Sequence, residues 1–365
     1  MSTRTYLYGL DLLRVVASVL VLFTHIANWF STRQREWWLA GWVHRDVVTP
    51  LHLNDNLSFA GVSLFLLISG LVVTHVADRE RPRQFLRRRL ARVLPLLFVA
   101  SVIAWLLVNH AGYRPESGQS SLDLLDLLAG MTLAGFFTTP EVVFLGIAWT
   151  LLTQIVFYGY VAATMPLLRR HAWAPSALAA ALCCVLLSLA TGVGTVAAHR
   201  IGMIAAFFPV LCLGQLLSLV HARKVRPGAG VVLGAVHVLL FVWADRLGEY
   251  MLGGTAYPRT LLIMLALVAL VMTVHGRLSR SRVVRTWSRR TYAIYLLHPL
   301  CLYPVLDRLA PVIGADVALL VALGLLAAVV EPAHRLVELP VNNWFRSREG
   351  VRSISFPRRR TRLRR

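Results

Sequence analysis

The stretch that decides the fold is LDLLRVVASVLVLFTH, residues 10–25. It opens an apolar segment, residues 11–30, that has the length of a helix crossing about 30 Å of hydrocarbon. The run from Val15 to Phe30 is too long for the core of a signal peptide, and no small-residue cleavage site follows it. We therefore predict a retained membrane helix.

Apolar segments of this kind recur along the whole chain. Of the 365 residues, 57% are hydrophobic and the mean hydropathy is +0.64, whereas soluble domains are about 45–50% apolar. A soluble two-domain protein is thereby excluded, and an all-α bundle of about ten transmembrane helices is predicted. The predicted spans are residues 11–30, 58–77, 92–109, 144–168, 174–191, 199–220, 229–247, 259–275, 291–308 and 314–335.

The arginines predict the orientation of these spans. The net charge is +21, and most of the 38 basic residues fall in residues 78–92, 169–173, 221–228, 276–290 and the tail after 335. Because short cytoplasmic loops are enriched in basic residues, both termini are predicted to be cytoplasmic. We expect one transmembrane domain, residues 1–345, and a basic tail, residues 346–365. The tail is expected to attract anionic lipid, with nucleic-acid binding as the remote alternative.

One apolar segment does not fit this count of spans. Residues 122–137 are apolar enough for an eleventh helix, but a full crossing there would place the arginines of residues 276–290 outside. This would contradict the charge pattern. We therefore predict a short or re-entrant element on the external side of the membrane.

Three ionisable residues lie in the first span: Asp11, Arg14 and His25. Such groups are costly inside a membrane unless they face a cavity or a partner, so they are candidates for function. In a helix, Arg14 and His25 lie within about 20° of one face and about 16 Å apart. Both can therefore line one tunnel, and Asp11 is placed to pair with Arg14.

Two interpretations of these residues stay open. In the first, Arg14 extends to the headgroups and His25 bonds a neighbouring helix. In the second, His25 is a general base, because burial in the membrane keeps an imidazole neutral. The group that it would deprotonate is an acceptor hydroxyl.

A second candidate cluster lies where the basic segment enters the third span, in FLRRRLARVLP. Arg89 and Arg92 are three residues apart and share one helical face. They are either ordinary charges at a membrane boundary or a phosphate site, because guanidinium groups form paired hydrogen bonds with phosphates. A phosphorylated donor such as acyl-CoA, arriving from the cytosol, fits the second interpretation.

Other polar side chains fall in the fourth and ninth predicted spans, AWTLLTQIVFYGY and TYAIYLLHPL. The candidates for a site are Trp149, Gln154, Tyr158, Tyr292, Tyr295 and His298. Helix pairing through hydrogen bonds, or an aromatic belt at the membrane surface, are the alternatives.

Two further observations concern charged and metal-binding groups. Glu338, in HRLVELP, is a carboxylate among many arginines, and a helix-end ion pair is the alternative to a site.

The four cysteines lie in apolar stretches without metal-ligand spacing, so buried thiols and no metal site are predicted.

These stretches together resemble the acyltransferase 3 family of membrane O-acyltransferases, from residue 9 to about 345. The first span is similar to the family pattern LDxLRxxAxxxVxxxH. GVSLFLLISGLV, residues 61–72, is similar to GVxxFFxxSGF and includes Ser69 and Gly70. RRRLARVLP contains the family's RxxR and proline, and TYAIYLLHP resembles SYxxYLxHxP. RLVELP resembles the terminal RxxExP, with Arg335 and Glu338.

The resemblance implies an acyltransferase with His25 as the catalytic residue and a donor site formed by Arg14, Arg89 and Arg92. It implies acyl-CoA as a co-substrate, no cofactor, and a carbohydrate or glycosylated small molecule as the acceptor. Transfer of an acetyl group is expected, either directly or through an acyl-imidazole. The expected location is a bacterial plasma membrane.

One position departs from the family pattern. The family usually has WSLxxExxFY, whereas this chain has WTLLTQIVFY, so Gln154 replaces the glutamate. An amide can orient a substrate or bond a histidine, but it does not exchange a proton at neutral pH. If the glutamate supports the base in the family, Asp11 and Glu338 are the carboxylates available here.

Two rival functions use the same residues. A transporter or flippase of a glycan or small metabolite would use the polar groups for recognition, although the chain shows no inverted repeat of the kind common in transporters. A scaffold without catalytic activity would show neither acyl turnover nor transport.

Overall fold

The structure of the protein is a computed structural model, and it describes residues 8–77, 79–115, 118–248, 250, 256–273, 279 and 281–348. The predicted tail therefore lies outside the described residues beyond position 348. The long helices are α1 (Tyr8–Thr32), α4 (Ala60–Ala77), α5 (Pro82–Ala111), α7 (Trp149–Arg170), α8 (Ala174–Ala190), α9 (Val196–His221), α10 (Pro227–Leu247), α11 (Ala256–Thr273), α12 (Arg282–Ile313) and α13 (Ala315–Pro332). The short ones are α2 (Trp38–Val43), α3 (Thr49–Leu51), α6 (Leu124–Thr132) and α14 (Leu339–Arg348).

Each of the ten predicted spans falls on one of the long helices. Within the described residues, eight helices are long and apolar enough to cross a membrane, while α8 and α11 are apolar but shorter. The predicted polytopic helix bundle is therefore confirmed, and the protein is a multi-pass membrane protein.

Two helices begin well before the predicted spans. Helix α5 begins at Pro82 rather than at residue 92, and α12 begins at Arg282 rather than at residue 291. Both extensions are rich in arginine, a good helix former that hydropathy alone excludes from a span. Pro82 at the start of α5 suits the first turn of a helix, where a backbone N–H has no partner.

The segment 122–137 forms the nine-residue helix α6 followed by a short 3₁₀ turn. A helix of nine residues is about 14 Å long, which is too short to cross the hydrocarbon core. The Trp105 and Asn109 side chains donate hydrogen bonds to the Leu122 carbonyl at 3.0 and 2.9 Å, which holds the segment at the end of α5. The prediction of a short element is confirmed.

Helices α1 and α12 run parallel and in register. Asp11 accepts a hydrogen bond from Ser288 at 2.7 Å, and Asp307 accepts one from Trp29 at 2.7 Å. These pairs are 277 and 278 residues apart in sequence, one near each end of α1. Because the two ends are fixed, the side chains in the middle of both helices face each other in a defined register.

Helices α4 and α9 approach each other closely at two glycines. A Cβ atom at Gly70 would overlap the carbonyl oxygen of Leu211, and one at Gly214 would overlap that of Leu67. Small residues allow membrane helices to pack with their backbones in contact. Gly70, which the family pattern includes, is therefore a packing residue.

Candidate active site

The largest cluster of predicted site residues lines a cavity of about 120 Å³ between α1, α4, α5, α7 and α12. We call it the arginine cavity, because three arginines line it. The predicted residues in its lining are Arg14, Ser69, Arg89, Arg92, Gln154, Tyr158, Tyr292 and Tyr295. The structure thus brings together residues from five separate sequence stretches, as a single site requires.

The charges of this lining are not balanced. Arg14 pairs with Asp11, with 3.6 Å between the guanidinium nitrogen and the carboxylate oxygen, as predicted. Within the described residues, Arg89 and Arg92 take part in no ion pair, and Nε of Arg89 is buried without a hydrogen-bond partner. The guanidinium of Arg89 lies 5.5 Å from the centre of the Phe85 ring. A guanidinium N–H that is buried without an acceptor favours a ligand that accepts hydrogen bonds, and an anion does so best.

Hydrogen bonds hold the polar side chains of the arginine cavity in place. Gln154 donates a hydrogen bond to the Ser69 hydroxyl, and the Tyr292 hydroxyl donates one to the Val93 carbonyl at 2.7 Å. Gln154 therefore orients Ser69 beside the arginines and does not support His25.

His25 lines a second cavity of about 110 Å³, which we call the histidine cavity. Its lining includes Thr24, Ser58 and Trp149. Trp149 packs on Phe207 with ring centres 4.5 Å apart, which fixes one wall.

The two cavities share Val62 and Tyr295 in their linings. The hydroxyl of Tyr295 donates a hydrogen bond to the Ile147 carbonyl at 2.7 Å and also bonds the Thr150 hydroxyl. A single tunnel from Arg14 to His25 therefore stays a prediction, because the two cavities adjoin each other at these shared residues. In the structure Arg14 lines the arginine cavity and His25 lines the histidine cavity, and Val62 and Tyr295 border both.

The direct neighbours of His25 come from α12. Its Nδ1 lies 2.7 Å from the Tyr303 hydroxyl oxygen, and its ring meets the ring of His298 edge to face, with centres 4.7 Å apart. His298 is completely buried. A hydrogen bond on one imidazole nitrogen fixes the orientation of the ring and leaves the other nitrogen, Nε2, for chemistry.

The two carboxylates considered as supports for His25 lie elsewhere. Asp11 is fourteen residues before His25 in α1, which is about 21 Å along the helix, and it bonds Ser288 and Arg14. Glu338 bonds His334 in the π-helical turn Ala333–Glu338. The group that bonds Nδ1 of His25 in the structure is the Tyr303 hydroxyl, and a catalytic role for Asp11 or Glu338 stays a prediction.

Tyr303 is the residue that sequence reasoning missed. It follows the motif TYAIYLLHP by four positions, beyond the end of the family pattern. A tyrosine in an apolar stretch is also common at membrane surfaces. The signal that identifies it is the register of α1 against α12, which the structure supplies.

Polar side chains form a hydrogen-bonded cluster next to His25 in the sequence of α1. Thr24 donates a hydrogen bond to the Asn56 carbonyl at 2.9 Å, and the Asn56 amide donates one to Asn28 at 2.8 Å. Asn28 lies one turn beyond His25 on the same face of α1. The hydroxyl residues Thr24 and Ser58 therefore line the histidine cavity, and the two amides are linked to it through Thr24.

Arg335, the other residue from the terminal motif, bonds Glu331, which also binds Arg290 through two hydrogen bonds. This ion-pair group joins the start of α12 to the end of α13. Its position next to the ends of two helices indicates a structural role.

The fold and the two cavities define a multi-pass membrane protein with an internal polar site. The family model described as an acyltransferase domain matches residues 7–330. The chain therefore belongs to the acyltransferase 3 family of membrane acyltransferases, which transfer groups other than amino-acyl groups, as its motifs predict.

Two relatives are similar to parts of the chain. Acyltransferase MdmB of Streptomyces mycarofaciens is 30% identical over 193 residues, which cover 47% of this chain and 44% of MdmB. Nodulation protein 10 of Rhizobium leguminosarum bv. viciae is 25% identical over 335 residues, which cover 81% of this chain and 83% of that protein. No solved structure shows a significant match to the chain.

Proposed function

We propose that the protein transfers an acyl group, in particular acetyl, from acyl-CoA to a hydroxyl of a carbohydrate or glycosylated acceptor. In this proposal, His25 is the general base and the protein acts in a bacterial plasma membrane. The observation that carries the proposal is the adjacency of two cavities, one lined by three arginines and the other by His25.

The charges of the arginine cavity support an anionic donor. Arg89 and Arg92 have no ion-pair partner among the residues that the structure describes, and no carboxylate lines the cavity. Phosphate groups satisfy several guanidinium N–H donors at once. Acyl-CoA carries phosphates at one end and a reactive thioester at the other, so it suits a cationic cavity next to a base.

The hydrogen bonds of His25 support its role as the base. With Nδ1 bonded to Tyr303, Nε2 takes the proton of the acceptor hydroxyl. The acceptor oxygen then bonds to the thioester carbonyl carbon, and the carbon–sulfur bond breaks. The thiolate of CoA takes the proton back from His25, so the products are the ester and free CoA.

The polar cluster beside the histidine cavity supports a hydroxylated acceptor. Thr24 and Ser58 line the cavity with hydroxyls, Trp149 offers an apolar ring, and Asn56 and Asn28 are linked to Thr24 by hydrogen bonds. Sugars present hydroxyls at their edges and apolar faces between them, so they suit such a lining. The name of MdmB, an acyltransferase, agrees with the reaction.

The proposal is tested with His25→Ala. Membranes containing the protein are incubated with [¹⁴C]acetyl-CoA, and the label is measured in glycan, lipid and metabolite extracts. We expect the variant to lose transfer by at least about 100-fold, which is the lower end of the contribution of a general base. His221→Ala, at the exposed end of α9, is the matched control and should retain full activity.

The same assay separates the rival function. A transporter or flippase leaves the thioester intact, so wild-type membranes would then release no CoA above a strain lacking the gene. Full transfer by His25→Ala would instead refute the role of the histidine.

A further inference from the structure

The protonation of His298 follows from its neighbours. Its Nδ1 lies 2.7 Å from the Tyr295 carbonyl oxygen and 3.2 Å from that of Ile294. Carbonyl oxygens only accept hydrogen bonds, so Nδ1 must carry the hydrogen. In a neutral imidazole, the lone pair then lies on Nε2.

This lone pair is unusual in its surroundings. His298 is completely buried, and its Nε2 has no hydrogen-bond partner among the residues that the structure describes. Buried polar atoms almost always have a partner, and an orphaned one requires an explanation. The ring of His25 lies next to that of His298, with ring centres 4.7 Å apart.

We propose that His298 is a positioning residue for His25, whose Nε2 lone pair stabilises His25 while that ring carries the acceptor's proton. This inference rests on the proposed function. Before His25 takes the proton, its ring is neutral, and Nε2 of His298 has no hydrogen-bond partner in the described part of the chain. When His25 takes the proton, the ring becomes a cation beside that lone pair, and the interaction strengthens.

The role is the one that a carboxylate fills in many catalytic groups, where a third residue supports the base. Here Gln154 lies in the arginine cavity, and Asp11 and Glu338 bond elsewhere. Tyr303 bonds Nδ1 of His25, and His298 supplies the second neutral partner. The proton remains on His25 throughout and returns to the CoA thiolate, so His298 is not itself protonated.

Two substitutions separate this role from a structural one. His298→Asn keeps a donor close to the position of Nδ1, for the backbone carbonyls, but removes the acceptor at Nε2. His298→Gln reaches the position of Nε2 with its carbonyl oxygen but gives up the bonds to those carbonyls. A histidine that only satisfies the backbone of α12 tolerates Asn better than Gln, whereas our inference predicts the reverse order.

Membranes that contain the protein are incubated with [¹⁴C]acetyl-CoA at several concentrations. The initial rate is measured as the label that appears in acceptor molecules extracted from these membranes. We expect His298→Asn to lower kcat on the order of 100-fold and His298→Gln to stay within about tenfold of wild type. The KM for acetyl-CoA should not change, because His298 does not line the arginine cavity. Thermal unfolding in detergent compares the folding of both variants.

The outcomes are distinguishable. If Asn retains as much activity as Gln, or if both variants change KM rather than kcat, the inference is wrong and His298 is structural. If the wild-type protein transfers no label at all, the proposed function fails instead.

Discussion

At the scale of single residues, His25 depends on a hydroxyl that comes from another helix. Tyr303→Phe removes the partner of Nδ1, which lies 2.7 Å away, and leaves the size of the side chain nearly unchanged. The ring is then free to turn its nitrogens away from the reacting groups, so we expect kcat to fall about tenfold at constant KM. Steady-state rates with labelled acetyl-CoA measure this change.

Tyr160→Phe is the control for that substitution. Tyr160 donates a hydrogen bond to the Pro175 carbonyl, in a part of α7 that lines neither cavity. Its loss should leave kcat within about twofold of wild type. Equal rates in both variants would show that the hydroxyl of Tyr303 does not support His25.

A second prediction concerns donor binding. Arg89→Gln removes a charge that has no ion-pair partner in the described part of the chain, so the folded protein loses little. Hydrogen bonds to charged groups contribute about 1.5–3 kcal/mol, and about 1.4 kcal/mol corresponds to a tenfold change in affinity. We expect the KM for acetyl-CoA to rise about 10- to 100-fold, measured in the same assay.

Arg87→Gln provides the comparison, since Arg87 lies on the same helix but is exposed and does not line the cavity. Its KM should be that of wild type. A similar rise in both variants would mean that the general positive charge of this surface, rather than Arg89, attracts the donor.

The sequence predicted which residues gather in the arginine cavity, because charged and polar groups stand out in apolar helices. It did not predict Tyr303 or the separation of His25 from Arg14. Both depend on how far α12 is shifted along α1 and on which way Tyr295 turns, and these follow from contacts between distant segments. The sequence also did not predict that Gln154, which replaces the family's glutamate, bonds the Ser69 hydroxyl in the arginine cavity.

At the scale of elements, the contact of α4 with α9 depends on Gly70. A Cβ at this position would overlap the backbone oxygen of Leu211, so Gly70→Ala must push the helices apart. Overpacking of this kind costs about 1–3 kcal/mol. We expect a lower unfolding temperature in detergent and a loss of activity, since Ser69 next to it lines the arginine cavity.

Gly159→Ala is the matched control, because Gly159 also lies inside a membrane helix but a Cβ there meets nothing within 4 Å. Alanine favours a helix over glycine by about 1 kcal/mol. This variant should therefore be as stable as wild type or slightly more so. An unfolding temperature equal in both variants would contradict the packing role of Gly70.

Hydropathy located the long helices, because a helix that crosses the hydrocarbon core needs about twenty predominantly apolar residues. It placed the starts of α5 and α12 too late, since arginine-rich turns continue the helices beyond the bilayer. The short helices α2 and α3, between α1 and α4, are not among the predicted spans, because they are too short to cross a membrane. Their shape is set by packing on the ends of the long helices.

At the scale of the whole molecule, the orientation in the membrane is a prediction that one residue tests. Lys224 is the only lysine of the chain, and it is exposed in the turn between α9 and α10. With both termini cytoplasmic, this turn faces the cytosol. A membrane-impermeant amine reagent should therefore label the protein in inverted vesicles but not in intact cells.

The Lys224→Arg variant measures the background from the N-terminal amine and lipids, and keeps the charge of the turn. Labelling of Lys224 in intact cells would show that the predicted orientation of the protein is reversed. The predicted side of donor entry would then be reversed as well.

The division between the two cavities has a consequence for the energy supply of the cell. A continuous water-filled passage across the bilayer would let protons run down their electrochemical gradient. Val62 and Tyr295 border both cavities, and the tyrosine is held in place by its bonds to Ile147 and Thr150. The polar groups are divided between two cavities of only about 120 and 110 Å³, and neither is large enough to cross the bilayer, so the membrane stays closed to ions.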